Sequence, residues 1–205
     1  MYRRPMLLNK LKNRKYGTRQ SIGLIGTHRG VGVTYTAFML AFYLGEEMGK
    51  RTAFVECNRH HDMERIQSAY EWSREDTSSF SFHQITCYKE VMSEGIAEIY
   101  NKNYESLIFD FGTDFGTNWN EFLRCNIKII VGGMAQWNQK KLIELAAYYK
   151  DFNDRETWLY LIPCADSKVT SSLKKIIVGK IHTIPFEKDP TKPSKNTIKL
   201  FRELL

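Results

Sequence analysis

The stretch Gly26-Thr27-His28-Arg29-Gly30-Val31-Gly32-Val33-Thr34 decides the fold. It follows a short apolar run, residues 21–25, and precedes a pattern over 34–48 whose first half is apolar nearly all round. The run reads as a strand, and a helix apolar on every side lies buried against a sheet. Glycines at such a junction let backbone N–H groups curl into a concave row at a helix start, where an anion fits. In the phosphate-loop spacing G-x-x-x-x-G-K-[ST], Gly26, Gly32 and Thr34 fall at the required positions, and Val33 stands where lysine belongs. The dinucleotide spacing G-x-G-x-x-G fails, because its third glycine would fall at Tyr35. Thr34 has two roles open to it, magnesium ligand and helix N-cap.

Outward from the loop, apolar runs alternate with helical patterns, which is the signature of repeated βαβ units. Strands are expected over 52–56, weakly over 80–86, and over 106–111, 127–131, 157–162 and 180–184. Helices are expected over 63–72, 90–100, 118–124, 136–150, 167–177 and 196–205. The predicted fold is α/β, three-layered, with a mostly parallel central sheet flanked by helices. Residues 21–205 form one domain behind a basic arm, residues 1–20.

Charge sharpens that division. The arm holds Arg3, Arg4, Lys10, Lys12, Arg14, Lys15 and Arg19 and no acid, leaving 23 basic against 23 acidic residues over 21–205. The net charge of +7 therefore belongs to the arm. A neutral body disfavours nucleic acid as partner, while the arm, with Met6, Leu7, Leu8 and Leu11, suits an anionic membrane surface or a partner groove. A solvated leader is the plainer reading of the same residues. Cys57, Cys87, Cys125 and Cys164 lie far apart, which implies reduced thiols rather than a zinc or dithiol site. Cys57, His60, His61 and Asp62 offer donor atoms, but without a second ligand pair they read as a polar loop. Asp110-Phe111-Gly112 lacks the ordered catalytic loop that would make it a kinase triplet. Trp119, Trp137, Trp158 and Phe186 read as core or partner surface rather than as a base-stacking platform.

From residue 21 to about 190 the chain resembles the MinD/ParA-like P-loop ATPases, whose deviant Walker A motif runs K-G-G-x-G-K-[ST] and corresponds here to residues 28–34. Residues 52–56 are similar to the family's second strand, which ends in an aspartate that positions attacking water; Glu56 stands there. Residues 106–110 resemble its Walker B strand, ending in Asp110, and Ile184-Pro185-Phe186 resembles a late strand-end segment. The atypical TadZ/CpaE-like branch of Flp/Tad pilus assembly is similar in having degenerate loops and in the run Gly132-Gly133-Met134-Ala135-Gln136-Trp137. Only the basic arm precedes the first strand here, where that branch usually carries a receiver-like domain.

The resemblance implies ATP and Mg2+ as ligands. It places Gly26, His28, Arg29, Gly30, Val31, Gly32, Val33, Thr34 and Tyr35 at the nucleotide, Thr34 and Asp110 at the metal, and Glu56 and Asp110 in catalysis. It also implies a homodimer, protein partners in a localisation or secretion/pilus machinery, and a cytoplasmic location, peripheral to the inner face of the membrane. Two departures limit what carries over. The signature lysine corresponds to His28 and the Walker lysine to Val33. Losing such a charge-stabilising group costs roughly a hundredfold or more in phosphoryl-transfer rate, so the expectation is a very slow ATPase or a pseudo-ATPase. The alternatives are an active ATPase using Arg29 or a partner's residue, and a scaffold that binds no nucleotide.

Overall fold

The structure, a computed structural model, describes residues 19–70 and 77–205. Most of the basic arm, residues 1–18, and the end of the helix expected over 63–72 lie outside the described residues. Arg19 marks where the arm joins the body. Its guanidinium donates to the carbonyls of Tyr100, Lys102 and Tyr104, the last two at 2.6 and 3.1 Å.

Eight strands form one sheet. They are β1 (Gln20–Gly26), β2 (Thr52–Glu56), β3 (Ser79–Phe82), β4 (Ile85–Tyr88), β5 (Ser106–Asp110), β6 (Ile127–Val131), β7 (Leu159–Pro163) and β8 (Lys180–Ile184), in the order β3-β4-β2-β5-β1-β6-β7-β8. All neighbours are parallel except β3 and β4. From Ser21 onward every residue of β1 is buried, as a central strand covered on both faces requires.

Helices α1 (Val33–Phe42), α2 (Asp62–Tyr70) and α7 (Lys195–Leu204) pack on one face of the sheet; α3 (Ser93–Tyr100), α4 (Trp119–Arg124), α5 (Gln136–Tyr148) and α6 (Ser167–Leu173) cover the other. Phe38, Phe42, Phe54 and Phe82 fill the first core, and Phe109, Phe111, Phe122 and Trp158 the second. The fold is thus the expected three-layered α/β arrangement.

Two local expectations change. The single strand expected over 80–86 is a hairpin, in which Phe82 pairs with Ile85 across a two-residue turn. His83 takes φ 53 there, a left-handed conformation that tight turns demand and that its identity as histidine does not signal. The helix expected to run to residue 48 is α-helical only to Phe42 and then widens into a π-type turn, Tyr43–Glu47.

Strand order places the site. From β1 the chain crosses to β2 on one side, while β6, β7 and β8 extend the sheet on the other, so the carboxyl end of β1 is a topological switch point. The loop after β1 is tied to both neighbours there: Gly26 N–H donates to Gly112 O at 2.8 Å, and Thr27 N–H to Val131 O at 3.0 Å.

Candidate functional site

The loop between β1 and α1 is shaped by its glycines. Gly30 and Gly32 have φ 79 and 97, conformations that side-chain-bearing residues rarely hold. Val31 N–H reaches back to His28 O at 3.4 Å, closing the inner turn. Gly32 is the N-cap of α1 and no side chain caps the helix, so Thr34 lies in the first turn and does not serve as the cap. Among the described residues, no hydrogen bond takes up the N–H groups of Gly32, Val33 or Thr34. Unclaimed donors at the positive end of a helix are what an anion-binding loop presents.

Val31 and Val33 turn inward, with 8% and 6% exposure. A Cβ placed on Gly26 would come within 2.4 Å of Val33 Cγ2 and 2.6 Å of Val31 Cγ1, so this aliphatic pair packs directly on the Gly26 backbone. The loop interior is sealed from beneath, and its outer side borders a cleft of about 320 Å³. Residues 28–35 form one wall; His60, Asp62 and Arg65 form the other, and Gly112 and Thr113 close one side. That volume sits at the lower end of the range for small-molecule sites, roughly 300–1,000 Å³.

Beneath the cleft, Glu56 and Asp110 end adjacent strands in register, both fully buried. Asp110 Oδ1 accepts Gly112 N–H at 2.9 Å, while Oδ2 is buried without a hydrogen-bond partner. Burial raises the Asp110 pKa, against the lowering effect of the Thr34 hydroxyl and the Gly112 N–H. Glu56 Oε1 accepts the N–H groups of Asp62 at 2.7 Å and Met63 at 3.4 Å, holding the start of α2, and its Oε2 is buried and unpartnered. Burial pushes Glu56 up to about 7 despite those two donors, and the charges of Asp110 and Asp62 add to the rise. Two carboxyl groups side by side, each with a bare buried oxygen, favour a cation above them. Of the expected magnesium pair, Thr34 lines the cleft and Asp110 lies buried beneath it with one bare oxygen.

The structure brings the expected loop residues 28–35 together around the cleft and sets Gly26, Glu56 and Asp110 beneath it. His28 Nδ1 lies 2.9 Å from Thr27 Oγ1, and burial, then the charge of Lys141, lowers its pKa. At neutral pH His28 is therefore a poor replacement for a lysine. Arg29 is exposed at the rim, and Tyr35 donates its hydroxyl to Glu187 O.

Sequence reasoning did not place Asp62, Arg65, His60, Gly112 or Thr113 in this site. Asp62 accepts the Thr34 hydroxyl at 3.3 Å through Oδ2 and Arg65 Nη1 at 3.0 Å through Oδ1. The available signal was the i,i+3 acid–arginine spacing at the start of a helix just past β2. Cys57 is buried and His61 pairs with Glu90, so these members of the polar segment turn away from the cleft. Among the described residues, no cluster of metal-binding side chains was found. Trp158 is core at 1% exposure, whereas Trp137 and Phe186, at 73% and 74%, stand out past the carboxyl ends of β6 and β8.

No protein-family model and no curated protein matches the chain. Solved structures do. The MinD cell division protein of Aquifex aeolicus superposes with a TM-score of 0.67 at 14% identity, over 90% of this chain and 96% of that one. A ParA family ATPase from Chlorobium tepidum gives 0.63 at 15%, over 92% and 91%. MinD from Pyrococcus horikoshii, complexed with Mg-ADP, gives 0.59 at 12%, over 91% and 94%. The fold is that of the MinD and ParA ATPases. At such identities the likeness carries architecture alone. Within that fold, the residue after Gly32 in the loop between β1 and α1 is a buried valine, Val33.

Proposed function

We propose that the chain is a MinD/ParA-like protein that binds ATP with magnesium, hydrolyses it very slowly or not at all, and acts as a localisation or assembly factor, with Flp/Tad-type pilus biogenesis as its process. The observation that carries this reading is the loop itself. Its N–H groups at the start of α1 are unclaimed and face a cleft, yet Val33 lies packed on Gly26 where the phosphate-neutralising cation is normal. Backbone donors suffice to hold phosphates; they do not replace the charge that phosphoryl transfer demands.

Thr34 and Asp110 would hold the magnesium, which supplies charge neutralisation at the phosphates. Glu56, turned toward the start of α2, works chiefly by fixing that helix. Partner contact, including a second copy of the chain, is supported by Trp137 and Phe186, exposed at the same end of the sheet as the cleft. Residues 1–20 would add contact with an anionic membrane from the cytoplasmic side. Among the described residues, no helix is long and apolar enough to cross a membrane.

Calorimetric titration with Mg-ATP, followed by a phosphate-release assay, tests the reading. Binding without turnover is expected. Sustained turnover would instead establish an active ATPase, with Arg29 or a partner's residue as the cation, and absence of binding would leave a scaffold. Sedimentation with anionic liposomes should fall when residues 1–20 are removed, and unchanged sedimentation overturns the membrane role.

A further inference from the structure

A cleft that takes a polyphosphate above two buried carboxyl groups and beside Asp62 needs a cation on its wall, and neither Val33 nor a largely neutral His28 provides one. We propose that Arg65 provides it: its guanidinium, on the wall opposite the loop, contacts the terminal phosphate and makes the site selective for a nucleoside triphosphate over a diphosphate. The inference rests on the nucleotide-binding reading and names a specificity-determining residue for that site.

Arg65 lines the cleft with Asp62 and His60. Its Nη1 donates to His60 O at 2.8 Å and to Asp62 Oδ1 at 3.0 Å, which tethers the side chain at the rim. Among the described residues, Nε and Nη2 have no hydrogen-bond acceptor, so the remaining donors of the planar fork are free for an anion. A guanidinium held at one end loses less freedom on binding than an unrestrained one, and it matches a phosphate with paired N–H groups. Arg29 has no such tether. Asp62 also accepts the Thr34 hydroxyl at 3.3 Å, so one carboxylate links Arg65 to the first turn of α1.

Strand order sets the direction. Tyr35 leans toward Glu187, beyond β8, whereas α2 follows β2, and β2 and β8 lie on opposite sides of β1. The cleft is bounded by Tyr35 on the β8 side and by Arg65 on the β2 side, and the proposal sets the terminal phosphate at the Arg65 end.

The test uses the full chain and its Arg65→Ala and Arg65→Lys variants, titrated with Mg-ATP and Mg-ADP. The wild-type chain should prefer ATP, and Arg65→Ala should weaken ATP binding by about tenfold or more while changing ADP binding by less than about threefold. Arg65→Lys should recover part of the preference, since it restores charge without the fork. Wild-type binding of both nucleotides with Arg65→Ala unchanged, or with both nucleotides weakened equally, overturns the role of Arg65 and leaves nucleotide binding standing. A wild-type chain that binds neither nucleotide overturns both. Circular dichroism melts confirm folding; if Arg65→Ala does not fold, Arg65→Gln, which keeps a donor for His60 O, takes its place under the same criteria.

Discussion

The two walls of the cleft are built on different principles. The loop wall is backbone: glycines at positive φ, unclaimed N–H groups, and two valines packed against Gly26. The α2 wall is side chain: a buried Glu56 pins the helix start, Asp62 reaches Thr34, and Arg65 is tied to Asp62. Backbone geometry survives substitution of its non-glycine residues, so the loop keeps its shape with an aliphatic residue at position 33. Charge has no such protection, and on the proposed reading it comes from the other wall. The loop wall therefore breaks at glycines and the α2 wall at carboxyl groups.

The largest expected effect is Gly26→Val. Its Cβ would overlap Val33 Cγ2 at 2.4 Å and Val31 Cγ1 at 2.6 Å, with β-branching adding atoms to the same space. Overpacking of this kind costs about 3 kcal/mol or more, read as a lower urea midpoint. Gly30→Ala is the paired control, because a Cβ there meets nothing and only φ 79 opposes it, at about 1 kcal/mol. Equal losses at the two positions would mean that the valine pair does not shape the loop.

Next comes the pH dependence set by Glu56. Its folded pKa, about 7, lies above the ordinary 4.5, so the folded chain binds more protons than the unfolded chain between those values. Stability is then fullest below pH 4.5 as far as this group is concerned, and falls as pH rises toward 7 and beyond. The loss is on the order of 3 kcal/mol, since one pKa unit is worth about 1.4 kcal/mol and the rise is from 4.5 to about 7. Glu56→Gln keeps an acceptor for the Asp62 N–H and removes the titration. It should flatten urea stability between pH 5 and 8 and exceed the wild type at pH 8. A variant with the wild-type slope would assign the effect to Asp110 instead.

Legibility in the sequence follows the same contrast. The loop wall could be read from spacing, because glycines between a strand and a helix have few other uses; β2, β6 and β8 were likewise located to the residue by their apolar runs. The α2 wall could not. Its residues lie in a polar segment without a period to follow, and Asp62 joins Thr34 only because β2 and β1 both flank β5. Arg65 carries no local sign that its guanidinium borders a cleft rather than open solvent. The hairpin was missed for a related reason: His83 holds a left-handed turn that glycine or asparagine would have announced.

A smaller effect separates the two roles of Thr34. Its hydroxyl donates to Asp62 Oδ2 at 3.3 Å and lowers the pKa of the buried Asp110, so it both joins the walls and stands beside the bare carboxylate oxygen. Thr34→Val removes that hydroxyl with little change of shape. As a tether the hydroxyl contributes about 1 kcal/mol, so the ligand-free urea midpoint should drop slightly. As a magnesium ligand its loss should also abolish the difference between nucleotide titrations with and without the metal. A small stability loss with the metal dependence intact would reduce Thr34 to a strut between the two walls, and the cation site would then rest on Asp110 and whichever other oxygens the α2 wall can turn toward it.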